Sequence, residues 1–301
     1  MGPTATGKTE LAVELTRRLP LEIVSVDSAM VYRGMDIGTA KPDVDTLKAA
    51  PHRLIDFLDP AEVYSAARFR ADALREMADI VARGKIPLLV GGTMLYFRTL
   101  SEGLSALPGA DNKVRARIDA LAAREGWAVV HEHLRRIDPA AARRIHPNDS
   151  QRLQRALEVY ELTGRPMTEL CLQSRSESLQ YNIIRLALIP MNRSGLRARI
   201  AQRFDGMLAR GLIDEVAALR CRQDLNLDKP ALRAVGYRQM WQYLDGTVDF
   251  TCMRVAAIAA TCGLAKRQLT WLRSEREKIQ VFAAESRPMM SVKNAIDSYL
   301  V

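Results

Sequence analysis

The chain has few of the residues that build metal and redox centres. Its 301 residues include only four cysteines and four histidines. Cys171, Cys221, Cys252 and Cys262 are scattered with no C-x-x-C pair, so their spacing suggests neither a zinc site nor a disulfide framework. His131 and His133 stand two apart on an expected helix and therefore do not share a face. Long apolar runs are lacking too. No stretch approaches membrane-spanning length, and no charged-then-apolar leader opens the sequence. These absences predict a cytoplasmic protein. Hydrophobic content of 48% and charged content of 26% then fit one large globular domain, or one domain with an insertion.

What is present begins at once. Gly2-Pro3-Thr4-Ala5-Thr6-Gly7-Lys8-Thr9 fits the phosphate-binding pattern G-x-x-x-x-G-K-[ST]. Its glycines let successive N–H groups turn inward and form a concave anion nest. Lys8 adds a mobile positive charge for outer phosphate oxygens, and the Thr9 hydroxyl is placed to ligate Mg²⁺ directly or through water. Glu10 to Leu19 reads as a helix with Leu11, Leu15 and Leu19 along one face, so the loop feeds a helix N-terminus. A polyphosphate is the expected ligand. Such a loop ordinarily follows a buried strand, yet only Met1 precedes Gly2. The sheet is therefore expected to lack its first strand and to leave ladder groups on the neighbouring strands exposed.

Glu22–Val26 reads as a buried strand ending at Asp27, and Arg53–Phe57 as a possible second one. Ser65 suits the N-cap of a helix that buries Phe69, Ala73, Met77 and Ile80. Gly84 closes that helix, and Ile86–Val90 forms another strand running into Gly91-Gly92-Thr93. Alternation of this kind implies an α/β fold with a parallel sheet, whose active groups collect at the carboxyl ends of the strands. From about residue 110 the strand signals stop. Helices are expected over 112–124, 128–136, 139–145, 150–162 and 167–173, and a strand over 181–189. The reading is a catalytic core of residues 1–112 and 183–301 with an all-helical insertion over 113–182. The remainder reads as helical, including 194–210 and 251–273.

Asp27 is the second anchor. A carboxylate just past a strand, beside a phosphate site, could hold Mg²⁺ or its waters, or could be a general base. The stretch Ser28 to Pro42 is long, irregular and poor in the extra carboxylates of an ATPase. Net charge is +9, and Lys113, Arg115, Arg117, Arg124, Arg135, Arg136, Arg143, Arg144, Arg152, Arg155 and Arg165 share one stretch. They read either as solvated helix faces or as a surface that follows a phosphate backbone.

Taken together, these segments resemble the bacterial tRNA dimethylallyltransferases (tRNA isopentenyltransferases) along nearly the whole chain. The resemblance rests on residues 2–9, Val26-Asp27-Ser28-Ala29, Tyr32 to Pro42, Pro51 to Leu54, Val90 to Tyr96 and Ile145 to Asp149. It continues through Gln151 to Glu158, Val235 to Trp241 and Ala265 to Arg273. It implies a P-loop NTPase-like core and transfer of a dimethylallyl group from dimethylallyl diphosphate to N6 of the adenosine 3′ to the anticodon, with Mg²⁺. The diphosphate would then be held by Gly2, Pro3, Thr4, Ala5, Thr6, Gly7, Lys8, Thr9 and Arg203. Asp27 becomes the base, and the acceptor nucleotide must be flipped out of its stack. Contacts to tRNA fall by the same resemblance on Asp27, Ser28, Ala29, Met30, Thr93, Arg115, Gln151, Arg152, Leu153, Gln154 and Arg155. They fall also on Arg233, Ala234, Val235, Gly236, Tyr237 and Arg238, where the Tyr237 ring offers a stacking face. A monomer is expected, and metal-assisted tRNA binding is not.

Residue chemistry alone leaves other readings open. A small-molecule kinase would share the loop and Mg²⁺, and an RNA-binding nucleotide switch would hydrolyse slowly without forming product. A transferase acting on free AMP or ADP would need no arginine-dense insertion.

Overall fold

The computed structural model of the chain describes residues 1–173, 179, 181–275, 278–282 and 292. They fall into two compact units, Met1–Thr99 with Tyr181–Val301, and Leu100–Gln180. In the first, helix and strand alternate: α1 (Lys8–Thr16), β1 (Leu21–Val26), α2 (Val44–Ala49), β2 (His52–Arg53), α3 (Ala66–Ala82), β3 (Ile86–Gly91) and α4 (Met94–Glu102). Helix α3 follows its pattern. The Ser65 side chain caps it by accepting from Arg68 N, and Phe69, Ala73, Met77 and Ile80 form its buried face. The strands run parallel in the order β2-β1-β3. Val26 is paired with Gly91, so Asp27 and the Gly92-Thr93 turn emerge side by side at the carboxyl ends. Strand β2 is shorter than the expected 53–57, because Leu54 and Asp56 take left-handed φ values of 58° and 56°, which no strand accommodates.

The chain then passes through α5 (Asn112–Glu125), α6 (Trp127–Ile137), α7 (Pro139–Arg144), α8 (Ser150–Thr163) and α9 (Met167–Gln173). Asp111, Asp138 and Asp149 cap α5, α7 and α8 by accepting first-turn N–H groups. The apolar stripes of these helices close on Val114, Ile118, Val130, Leu134, Leu153 and Leu157. This unit starts at residue 100, ahead of the expected 113. The reason is local: Pro108 O accepts from Arg155 at 2.6 Å and Asp111 N donates to Glu158 at 2.8 Å, which ties the lead-in to α8.

Strand β4 (Arg185–Ile189) returns to the first unit and is shorter than the expected 181–189. It pairs in parallel with β5 (Lys278–Phe282), a strand that the sequence pattern did not suggest. Between them lie α10 (Arg193–Ala209), α11 (Leu212–Arg220), a short 3₁₀ turn over Ala231–Arg233, α12 (Tyr237–Leu244) and α13 (Phe250–Ser274). The strands thus form two parallel sheets. Residue Met1 runs beside β4, its N donating to Leu186 O at 2.7 Å and its O accepting from Leu188 N at 2.8 Å. Helix α1 spans both sheets. Its Leu15 packs with Leu188 and Val281, while Ala12 packs with Ile23 of β1. A buried leucine contributes about 1.5–3 kcal/mol, so the helix behind the phosphate loop is fixed from two sides. Among the described residues no helix is long and apolar enough to cross a membrane.

Candidate active site

The phosphate loop closes on itself. Thr6 Oγ1 and Lys8 Nζ both donate to Pro3 O, at 2.8 and 2.6 Å. Gly7 N-caps α1 with φ 82°, and Ala5 is left-handed with φ 61°. For a residue with a Cβ that conformation costs about 1 kcal/mol, a strain the surrounding bonds must hold. Burial pushes the Lys8 ammonium down to about 8; Asp27 opposes the fall, Arg203 adds to it and Glu10 opposes it. Lys8 is therefore still charged at neutral pH and sits within electrostatic reach of both Asp27 and Arg203.

Asp27 is shaped by the turn that follows β1. Its Oδ1 accepts from Ala29 N at 2.8 Å and Met30 N at 3.2 Å, which fixes the carboxylate. No hydrogen bond reaches its Oδ2 among the described residues. Ser28 N donates to Thr93 Oγ1 at 3.1 Å, and Thr93 N donates to Val26 O at 3.2 Å, so the β1 and β3 ends are laced together. On α10, burial lowers the Arg203 guanidinium below its usual range, against the pull of Glu10 and Asp27. No carboxylate lies within ion-pair distance of Arg203 among the described residues.

These groups line one crevice of about 1640 Å³. Thr4 to Thr9, Asp27, Thr93 and Arg203 share it with the apolar side chains Met94, Leu95, Phe204, Met207, Leu264 and Trp271. An anionic head and an apolar tail would both find partners there. Among the described residues no group of three or more His, Cys, Asp or Glu side chains could hold a metal ion. The Thr9 hydroxyl fits a Mg²⁺ ion that takes most of its ligands from substrate oxygens and water.

The remaining residues expected to touch tRNA sort by exposure. Ser28, Arg233 and Arg238 are exposed, Ala29, Met30, Ala234 and Val235 are half-buried, and Gly236 is buried. Tyr237 corrects the sequence reading. Its ring is fully buried and its OH donates to Glu215 at 2.5 Å, so it has no face on which a base could stack. In the helical unit Gln151 and Arg152 are exposed, Gln154 donates to Asp119 at 2.6 Å, and Leu153 is wholly buried. Leu153 thus belongs to the core of that unit and cannot itself contact RNA. Arg115 and Arg155 converge on Glu158, whose side chain is fully buried, at 2.8 and 2.6 Å. Burial alone would raise the Glu158 carboxyl; the arginine hydrogen bonds and Asp111 N outweigh it and hold the group below its usual range.

One positioning residue was not foreseen. Gln268 of α13 accepts from Thr4 N at 3.0 Å and donates to Gly92 O at 2.8 Å, bracing the phosphate loop against the β3 turn. A Cβ at Gly92 would meet Gln268 Nε2 at 2.4 Å, which explains the glycine. Gln268 lies inside a motif that carried the resemblance, but a glutamine carries no chemical signal of its own.

Known proteins share this sequence and fold. The chain is 65% identical over 274 residues to a tRNA dimethylallyltransferase of Thioalkalivibrio sulfidiphilus, covering 91% of this chain and 86% of the relative. It is 60% identical over 276 residues to one of Alkalilimnicola ehrlichii, covering 92% and 87%. Among solved structures, the full-length tRNA isopentenylpyrophosphate transferase of Bacillus halodurans aligns with a TM-score of 0.73 at 37% identity, over 99% of this chain and 94% of that one. A eukaryotic dimethylallyltransferase acting on tRNA aligns with a TM-score of 0.82 at 25% identity, over 99% and 78%. The family model described as IPP transferase matches residues 30–275, most of the chain. By sequence and fold alike, the chain belongs to the IPP transferase family.

Proposed function

We propose that this chain transfers a dimethylallyl group from dimethylallyl diphosphate to N6 of the adenosine 3′ to the anticodon of tRNA, releasing pyrophosphate. The observation that carries the reading is the convergence of two half-buried cations, Lys8 and Arg203, neither in ion-pair contact with a carboxylate among the described residues, on the crevice that contains Asp27. Relatives at 60–65% identity are named for the same transfer.

The residues divide the work. Loop N–H groups, Lys8 and Arg203 bind the diphosphate and stabilise the charge that grows on it as the C1–O bond breaks. Thr9 would hold Mg²⁺, which when bound supplies further neutralisation of the leaving group. The apolar wall takes the five-carbon tail. Adenine N6 is a poor nucleophile because its lone pair is delocalised into the ring. Its attack on C1 forms the N–C bond while the electrons of the breaking C–O bond leave with pyrophosphate, and Asp27 Oδ2 accepts the N6 proton. The target base reaches the crevice only when flipped out of its stack. Surface arginines of the helical unit supply phosphate contacts.

A transfer assay tests this. Protein, Mg²⁺, dimethylallyl diphosphate and an unmodified anticodon stem-loop are incubated, digested and analysed by mass spectrometry. A gain of one dimethylallyl group on the adenosine 3′ to the anticodon is expected. Folded protein that yields no product refutes the reading.

A further inference from the structure

The segment from Tyr32 to Pro42 lines the crevice through Gly38 to Pro42, and the segment from Pro230 to Gly236 lines it as well. The first is irregular backbone apart from a bridge between Tyr32 and Leu58, and the second is built on the 3₁₀ turn Ala231–Arg233. The first is braced within itself and to the neighbouring Asp56: Lys41 Nζ donates to Tyr32 O at 2.8 Å and pairs with Asp36 and Asp56, and Thr39 Oγ1 donates to Met35 O at 2.6 Å. Those bonds shape the segment but do not tie it to the helices opposite.

One carboxylate does. Glu215 of α11 accepts from Asp36 N at 2.8 Å and Ile37 N at 2.7 Å on Oε2, and from Gly38 N at 3.0 Å on Oε1. The same Oε1 accepts from the Tyr237 hydroxyl at 2.5 Å. Tyr237 is the first residue of α12, directly after Gly236. Its ring underlies the loop so closely that a Cβ on Gly38 would meet Tyr237 Cε2 at 2.5 Å. Four donors, three at the start of the crevice-lining 38–42 stretch and one on the residue that follows the 233–236 turn, therefore share one acceptor group. The phosphate loop has its own anchor in Gln268 and makes no bond to Glu215 among the described residues.

We infer that Glu215 is a positioning residue for the nucleic-acid acceptor, fixing the 36–38 loop and the 233–236 turn in the spacing that admits the flipped nucleotide. The inference rests on the transfer proposed above and extends it to a residue that touches neither substrate. Preorganised walls lower the ordering cost of binding, so the effect falls on acceptor affinity and leaves the diphosphate site intact. A glutamine has the right shape and the wrong hydrogen-bond capacity. With its oxygen on Asp36 N and Ile37 N, its NH₂ faces Gly38 N–H, and two donors oppose each other.

The test compares Glu215→Gln, Tyr237→Phe and Gly38→Ala with the wild type. Equilibrium binding of the anticodon stem-loop and of inorganic pyrophosphate is measured, together with steady-state transfer. Glu215→Gln is expected to raise the stem-loop Kd and KM roughly tenfold, the scale of one lost charge-assisted bond. Its kcat and pyrophosphate Kd stay within about twofold. Tyr237→Phe keeps all three peptide bonds and shifts the stem-loop Kd by less, roughly threefold. Gly38→Ala, which disturbs the same contact from the loop side, follows Glu215→Gln. Stem-loop affinity unchanged in Glu215→Gln overturns the inference, as does an equal loss of stem-loop and pyrophosphate affinity. Absence of product from the wild type refutes the transfer itself, and stem-loop binding by Glu215→Gln still decides the positioning role.

Discussion

The arginines of the helical unit and the cations of the crevice are built in opposite ways. Arg117, Arg124, Arg135, Arg152 and Arg165 each bond a neighbouring carboxylate on an exposed surface. Lys8 and Arg203 are half-buried and feel Asp27 and Glu10 only at a distance, with no carboxylate in ion-pair contact among the described residues. An exposed pair is worth about 0–1 kcal/mol, so a nucleic-acid phosphate can replace the carboxylate at small cost. Desolvation pulls both cations below their usual pKa range and no carboxylate contacts them directly among the described residues, so an anion that enters the site relieves that cost. The helical unit is thus suited to exchangeable, graded contacts with a polyanion, and the crevice to one tightly held anion. Arg115 and Arg155 stand between these extremes, because the buried Glu158 locks them in place.

This contrast can be broken in stages. The largest effect belongs to the base: Asp27→Asn should slow single-turnover transfer by about 10²–10⁴-fold while pyrophosphate and stem-loop binding persist. Next, Arg203→Ala should weaken pyrophosphate binding about 10–100-fold by calorimetry, the scale of a lost charged hydrogen bond. Third is a pH effect. Because Lys8 titrates near 8 when the site is free, kcat/KM for dimethylallyl diphosphate should fall above pH 8, approaching tenfold per pH unit. The bound diphosphate holds the proton on Lys8, so kcat should lack that limb. Fourth, Gln268→Ala removes two neutral hydrogen bonds and should weaken pyrophosphate binding by roughly threefold to tenfold. Smallest of all, Arg117→Ala should alter stem-loop affinity by less than about fivefold, since its charge is shared with Glu161.

The sequence was most legible where local chemistry repeats. The loop-to-helix step at Gly7, the Ser65 cap and the Phe69–Ile80 stripe of α3 are each specified within a few residues, and each stands in the structure as read. Strand β5 was missed because Lys278 to Phe282 has no partner signal near it in sequence, and its pairing with β4 spans more than ninety residues. Tyr237 was misread for a related reason. Its residue type suits stacking, but burial is decided by Gly38 and Glu215, which are remote in sequence. Gln268 and Glu215 act through backbone groups of distant loops, and such contacts leave no pattern in the residues around them. The charge-rich stretch from Lys113 to Arg165 counted correctly as basic, while the carboxylates that neutralise much of it, such as Glu132, Glu158 and Glu161, lie on the same helices and were not weighed.

The division between the two regions is tested most directly by titrating inorganic pyrophosphate and the anticodon stem-loop separately into Arg203→Ala and Arg155→Ala. The account predicts that Arg203→Ala loses pyrophosphate affinity about 10–100-fold and keeps stem-loop affinity within about twofold, whereas Arg155→Ala loses stem-loop affinity roughly threefold to tenfold and binds pyrophosphate as the wild type does. Loss of both ligands in equal proportion by either variant would contradict it.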